Sequence, residues 1–130
     1  MAIRVFHADR PDRMMPPIIS RDARLVVWPG VGAETANMNF VRLVPGEANT
    51  PHIHARSEDT IFILEGEGTI RDFDHDLALA FRAGQALQVP AGVRHAVAAD
   101  RGVGVVSVGG PCPADYDMLQ AAGIDLAGRP

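Results

Sequence analysis

The run Thr60-Ile-Phe-Ile-Leu64 is the strongest constraint on the fold of this chain. β-branched and aromatic residues favour extended backbone, and alternate side chains of a strand project to opposite faces. Apart from Thr60, both faces of this run are apolar, so the strand needs cover on both sides. In a small closed sheet one face is the interior, which leaves Phe62 and Leu64 to meet a flanking segment or a second chain.

The residues just before this run carry the chemistry. His52 and His54 sit two apart, so in extended backbone their imidazoles project from the same side, as two ligands of one metal must. Glu58 and Asp59 follow, and a third histidine, His95, comes within Gly84-Gln-Ala-Leu-Gln-Val-Pro-Ala-Gly-Val-Arg-His95. Only five histidines are present, and three fall in these two segments. Alone, each would read as a surface or satisfied core histidine. A His-x-His pair with an adjacent carboxylate and a distant third histidine points to a metal site.

Glycine and proline divide the rest into short strands. Met1 to Val5 reads as a leading strand, and Asp9 to Pro17, rich in charge and proline, as an arm along the surface. Leu25 to Trp28, Asn37 to Val44, Thr69 to Phe73, Leu77 to Phe81, Ala86 to Val89, Arg94 to Ala98 and Val103 to Val108 read as strands. Asp74-His75-Asp76 reads as a solvated hairpin turn, and His7 as a surface residue. After Gly109-Gly110-Pro111 a short helix is expected, with Pro113 at its first position, Asp115 and Asp117 favourable to its dipole and Gly123 as the stop.

Composition excludes several functions. All twelve basic residues are arginine, so no lysine Schiff base or lysine general base operates here. One cysteine, Cys112, allows neither an internal disulfide nor a multi-cysteine zinc site, which fits a reducing cytoplasm. A net charge of −4 disfavours a nucleic-acid surface. No apolar run reaches the ~20 residues of a membrane helix, and no secretory leader pattern is evident at the N-terminus.

The two histidine segments resemble the paired motifs of the cupin superfamily. Gly46, His52, His54 and Gly66 match the first motif, Gly-x5-His-x-His-x(3 or 4)-Glu-x6-Gly. Gly84, Pro90, Gly92 and His95 match the second, Gly-x5-Pro-x-Gly-x2-His-x3-Asn, whose final asparagine is Ala99 here. The resemblance implies an all-β fold, a double-stranded β-helix or jelly-roll barrel with a short C-terminal helix. It implies one domain over residues 1–130, with motif 1 at 46–66, motif 2 at 84–99, an N-terminal arm at 1–20 and a helical tail at 111–130. It also implies one divalent transition metal (Fe, Mn, Ni, Cu or Zn) held by His52, His54, His95 and a carboxylate.

Two residues compete for the carboxylate. Strand parity favours Asp59, which shares a face with Ile61 and Ile63; side-chain reach favours Glu58, one methylene longer. Arg94 and Arg56 are the candidates for binding an anionic substrate, although exposed arginines in those places would serve only solubility. Three functions follow: a metal-dependent enzyme performing dioxygenase, decarboxylase, lyase or isomerase chemistry on a small organic molecule; a non-catalytic binding or sensor protein; or a metal-free scaffold, which three motif histidines argue against. A cytoplasmic homodimer is expected, with a small-molecule ligand and neither nucleic acid nor membrane as partner.

Overall fold

In a computed structural model, residues 2–124 are described. The apolar-on-both-faces run forms the centre of β4 (Glu58–Glu65), which lies between β9 (Val105–Cys112) and β7 (Ala86–Val89). The six-stranded sheet continues through β3 (Met38–Leu43), β2 (Asp22–Val27) and β1 (Arg13–Met14), in the order β1-β2-β3-β9-β4-β7. A second sheet, β6-β5-β8, comprises β5 (Glu67–Asp72), β6 (Leu77–Arg82) and β8 (His95–Ala99). All pairings are antiparallel. The fold is therefore all-β, a jelly-roll barrel, with one short α-helix among the described residues, α1 (Tyr116–Ala121).

The barrel interior is filled from both sheets by Leu43, Ile63, Val89 and Val105 against Ile70, Phe81 and Val97. Each sheet presents alternate residues to this interior, which is what period-two patterning requires. Phe62 and Leu64, on the other face of β4, are 42% and 46% exposed. Gly66 ends β4 at φ +89°, and a Cβ there would run into the Gly104 backbone, so the corner from one sheet to the other demands glycine.

Several sequence expectations change. The N-terminal residues described form no strand before Arg13; the arm instead contributes β1, which pairs with β2 through Arg13–Leu25 and Met14–Arg24. The His-x-His segment is extended but belongs to no regular strand, touching β8 through isolated bridges at Ala48–Ala98 and His52–His95. Pro113 precedes the helix, whose N-cap is Asp115, with Oδ1 accepting from Met118 N–H at 3.0 Å. Gly123 lies just beyond it at φ +83°, as a C-terminal stop should. Residues 125–130 of the expected tail lie outside the described residues.

Six residues are too few to make a helix stable alone, so α1 depends on packing. Leu119 supplies it, buried with Leu25, Trp28, Ala114 and Ile124 in a second cluster outside the barrel. Trp28 is anchored there by its indole N–H, which donates to Asp12 Oδ2 at 3.0 Å. Replacing Leu119 with alanine is expected to destabilise the protein by about 2–5 kcal/mol, measured by urea unfolding followed through Trp28 fluorescence.

Candidate metal centre

The structure brings His52, His54 and His95 together at one end of the barrel. Their ring centroids lie 4.9, 4.4 and 5.4 Å apart, and one nitrogen from each falls within 4.8 Å of the others. All three are buried, while Ile53 between the first two faces outward. The backbone sets this geometry: His52 and His95 exchange N–H···O hydrogen bonds of 3.0 Å in both directions. Gly92 N–H donates to His54 O at 2.9 Å, joining the turn of the second motif to the first.

Every ring is oriented through its Nδ1. His52 Nδ1 lies 2.7 Å from Thr50 O, and His95 Nδ1 lies 2.9 Å from Val93 O. A carbonyl only accepts, so both Nδ1 atoms carry hydrogen and both Nε2 lone pairs point to the shared space. His54 Nδ1 is held by Asp115 Oδ2 at 2.8 Å. One carboxylate thus caps α1 with Oδ1 and orients a histidine with Oδ2. In the sequence Asp115 reads only as a favourable charge at a helix start, because the 61 residues separating it from His54 conceal the contact.

Asp59 joins the cluster from β4, its Oδ2 3.3 Å from His54 Nε2 and 3.7 Å from His95 Nε2. Glu58, one residue earlier, faces the exposed side and accepts from Gln88 Nε2 at 2.5 Å. The two arginine candidates for anion binding also lie elsewhere: Arg56 is exposed and paired with Asp117 at 3.0 Å, and Arg94 is exposed. Neither lines the cavities that reach the histidines.

Two buried polar atoms in the cluster have no hydrogen-bond partner, His95 Nε2 and Asp59 Oδ1. Leaving such atoms unpaired is costly, and a cation held by the three imidazoles would satisfy His95 Nε2. The three histidines can therefore hold a metal ion. The protonation equilibria of the metal-free cluster are strongly perturbed. Burial pushes His52 down to about 4, against its bond with Thr50 O. Burial also opposes charge on His54, but the hydrogen bonds and charges of Asp115 and Asp59 outweigh it and raise the imidazole to about 9. Asp59, penalised by burial, is nevertheless held below the usual carboxylate range by His54 and His95.

A β-barrel that directs three inward histidines to one point is the architecture of a metal-binding jelly roll. The Cupin_2 family, described as "Cupin domain", matches residues 39–110, more than half of the sequence, and the chain belongs to this family. Germin-like protein 3-5 of Oryza sativa subsp. japonica is 34% identical over 74 residues, covering 52% of this chain and 33% of that protein. Oxalate oxidase GF-3.8 of Triticum aestivum is 32% identical over 80 residues, covering 57% and 36%. The chain thus spans about a third of the length of the curated relatives it matches. The polyketide cyclase RemF from Streptomyces resistomycificus superimposes with a TM-score of 0.72 at 20% identity, covering 89% of this chain and 82% of that one. An oxalate oxidase in complex with glycolate gives 0.51 at 23% identity, covering 62% and 43%. These superpositions establish the shared fold.

The pH dependence of the metal-free protein follows from the two shifted histidines. His54 binds its proton more tightly when folded, so its contribution is complete below the unfolded value of 6.5 and is lost as pH rises through about 9. His52 has the opposite sign and removes stability as pH falls from 6.5 towards 4. Urea unfolding of chelator-treated protein is therefore expected to give maximal stability near pH 6.5, and His54→Gln is expected to flatten the alkaline side.

Proposed function

We propose that this chain is a metal-dependent cupin enzyme in which His52, His54, His95 and Asp59 hold one divalent transition ion, and that a small organic molecule binds beside it inside the barrel. The observation that carries this reading is the convergence of three Nε2 atoms whose partner Nδ1 atoms are all tied to acceptors. Ligating imidazoles require such second contacts to fix their tautomer and orientation. Asp59 is the fourth ligand on this reading, since parity carries it to the inner face beside Ile61 and Ile63 and leaves Glu58 outside.

Three nitrogens and one carboxylate suit Fe, Mn, Ni, Cu or Zn; bound there, such an ion supplies a Lewis-acid or redox centre with positions open to a ligand oxygen. The chain's own part is to keep the imidazoles oriented and water limited. Val41, Leu43, Ile61 and Val97 line the chamber beside the histidines and supply the dry wall. Dioxygenation, decarboxylation, isomerisation and lyase chemistry all fit this arrangement, and the similar proteins include both an oxalate oxidase and a polyketide cyclase.

A second reading, non-catalytic binding or sensing, is favoured by the small size of that chamber, about 50 Å³. A homodimer joined through the exposed Phe62 and Leu64 face completes the proposal, and sedimentation of Phe62→Arg as a monomer beside a dimeric parent would support it.

Elemental analysis of protein purified without chelator is expected to give near one metal per chain. His52→Ala and His95→Ala should remove most of it while the protein stays folded by circular dichroism. Asp59→Ala should weaken metal retention strongly and Glu58→Ala hardly at all; equal losses would reject the assignment of Asp59. Asp115→Ala should weaken metal affinity by about 10- to 100-fold, as loss of an orienting partner does. Asp115→Ser, which keeps a helix cap, should weaken it similarly, separating the histidine contact from capping. Binding must expel the His54 proton, so zinc affinity should rise with pH between 6.5 and 9. A protein that takes up no divalent ion would contradict the metal centre.

A further inference from the structure

Among the described residues, openings reach the histidines from two directions. One, of about 550 Å³, lies between the facing edge strands β6 and β7 and ends on His95. The other, of about 600 Å³, lies between the N-terminal arm and α1 and ends on His52. The inner chamber shares Met15 and His52 with the arm–helix cleft and shares no lining residue with the β6–β7 opening. A single side chain, Met15, thus stands with His52 at the wall between the cleft and the chamber. Methionine is unbranched and repacks readily, which suits a wall that must yield.

The chemistry along this path is nearly free of charge. Met14, Pro17, Ile18, Met118 and Ala121 line the cleft, and no arginine or carboxylate does. Inside, Asp59 is the one carboxylate and no arginine is present, so an anionic ligand would find no side-chain cation except the histidines. A second observation concerns Asn39, on the inner face of β3 in register with Gly109, itself paired with Ile61. Asn39 is 3% exposed, lines the chamber, and has an Oδ1 with no hydrogen-bond partner. A Cβ on Gly110 would stand 2.5 Å from the Asn39 Nδ2, so glycine at that position leaves space for the amide. A buried, unpaired acceptor is a cost that a donor on a bound molecule would remove.

We propose that the substrate is an uncharged, mainly apolar molecule carrying a hydroxyl or N–H group, that its body lies in the cleft between the arm and α1, and that its polar end reaches past Met15 into the small chamber, where Asn39 Oδ1 accepts its hydrogen bond. This deepens the enzyme reading above and rests on it for the role of the metal, but the route and the recognition by Asn39 can be tested without any metal.

Methionine methyls are the reporters. Protein labelled with ¹³C at these methyls places Met14, Met15 and Met118 in the cleft, whereas Met38, exposed on β3, is the internal control. It would be titrated with phenol, toluene and benzoate, in metal-free and zinc-loaded forms. Phenol is expected to shift the three cleft signals and spare Met38 in both forms; benzoate should leave the metal-free signals in place. Ala121→Trp, an exposed substitution that fills the cleft, should abolish the phenol shifts, whereas Ala80→Trp in the β6–β7 opening should not. Asn39→Leu should lower the phenol-to-toluene affinity ratio about tenfold. Phenol binding that survives Ala121→Trp and is lost in Ala80→Trp would overturn the route, and benzoate binding the metal-free protein as well as phenol does would overturn the substrate class. Failure to load zinc would remove the metal centre yet leave the metal-free titration decisive for the cleft.

Discussion

The reciprocal backbone hydrogen bonds between His52 and His95 are the joint on which the candidate site depends. They fasten the irregular segment between β3 and β4 to β8, the edge strand of the second sheet, and they do so at the two residues whose side chains meet. Asn49 strengthens the same joint, its Oδ1 accepting from Val97 N–H at 3.1 Å and its Nδ2 donating to Ile19 O at 2.6 Å. Because these contacts are made by backbone and by Asn49, the positions of the imidazoles are set before any ion binds. Preorganisation of this kind limits the reorganisation needed on binding.

His54 is held differently. Its ring depends on Asp115, and Asp115 depends on α1, which depends in turn on Leu119 packing with Trp28 and Leu25. The outer cluster therefore reaches the site through one carboxylate. This arrangement ties the C-terminal segment to the candidate site, since loosening the helix would free one of the three clustered histidines while leaving the other two in place.

Much of the barrel was legible because its constraints are local. The run Thr60 to Leu64 required cover on both faces, and alternation along β4 placed Asp59 inward and Glu58 outward as parity indicated. The glycines of the two motifs marked real turns, Gly66 and Gly92 both standing at positive φ. What escaped depends on contacts between distant residues. The pairing of Arg13 and Met14 with β2 carries no pattern of its own, Asp115 read only as a charge favourable to a helix dipole, and Asn39 resembled any polar residue of an alternating strand. Arg56 and Arg94 stood beside the histidines in sequence, but Arg56 turns outward to Asp117 and Arg94 to solvent. Adjacency along the chain placed them near the motif without placing them in the cavity.

The X-ray absorption spectrum of the protein loaded with one equivalent of zinc tests the central claim most directly. The geometry described here is expected to give three imidazole nitrogens at about 2.0–2.1 Å with an oxygen shell at similar distance, reduced to two imidazoles in His95→Ala. A spectrum with one imidazole or none, unchanged by that substitution, would place the ion elsewhere and contradict the assignment of this cluster as a metal centre.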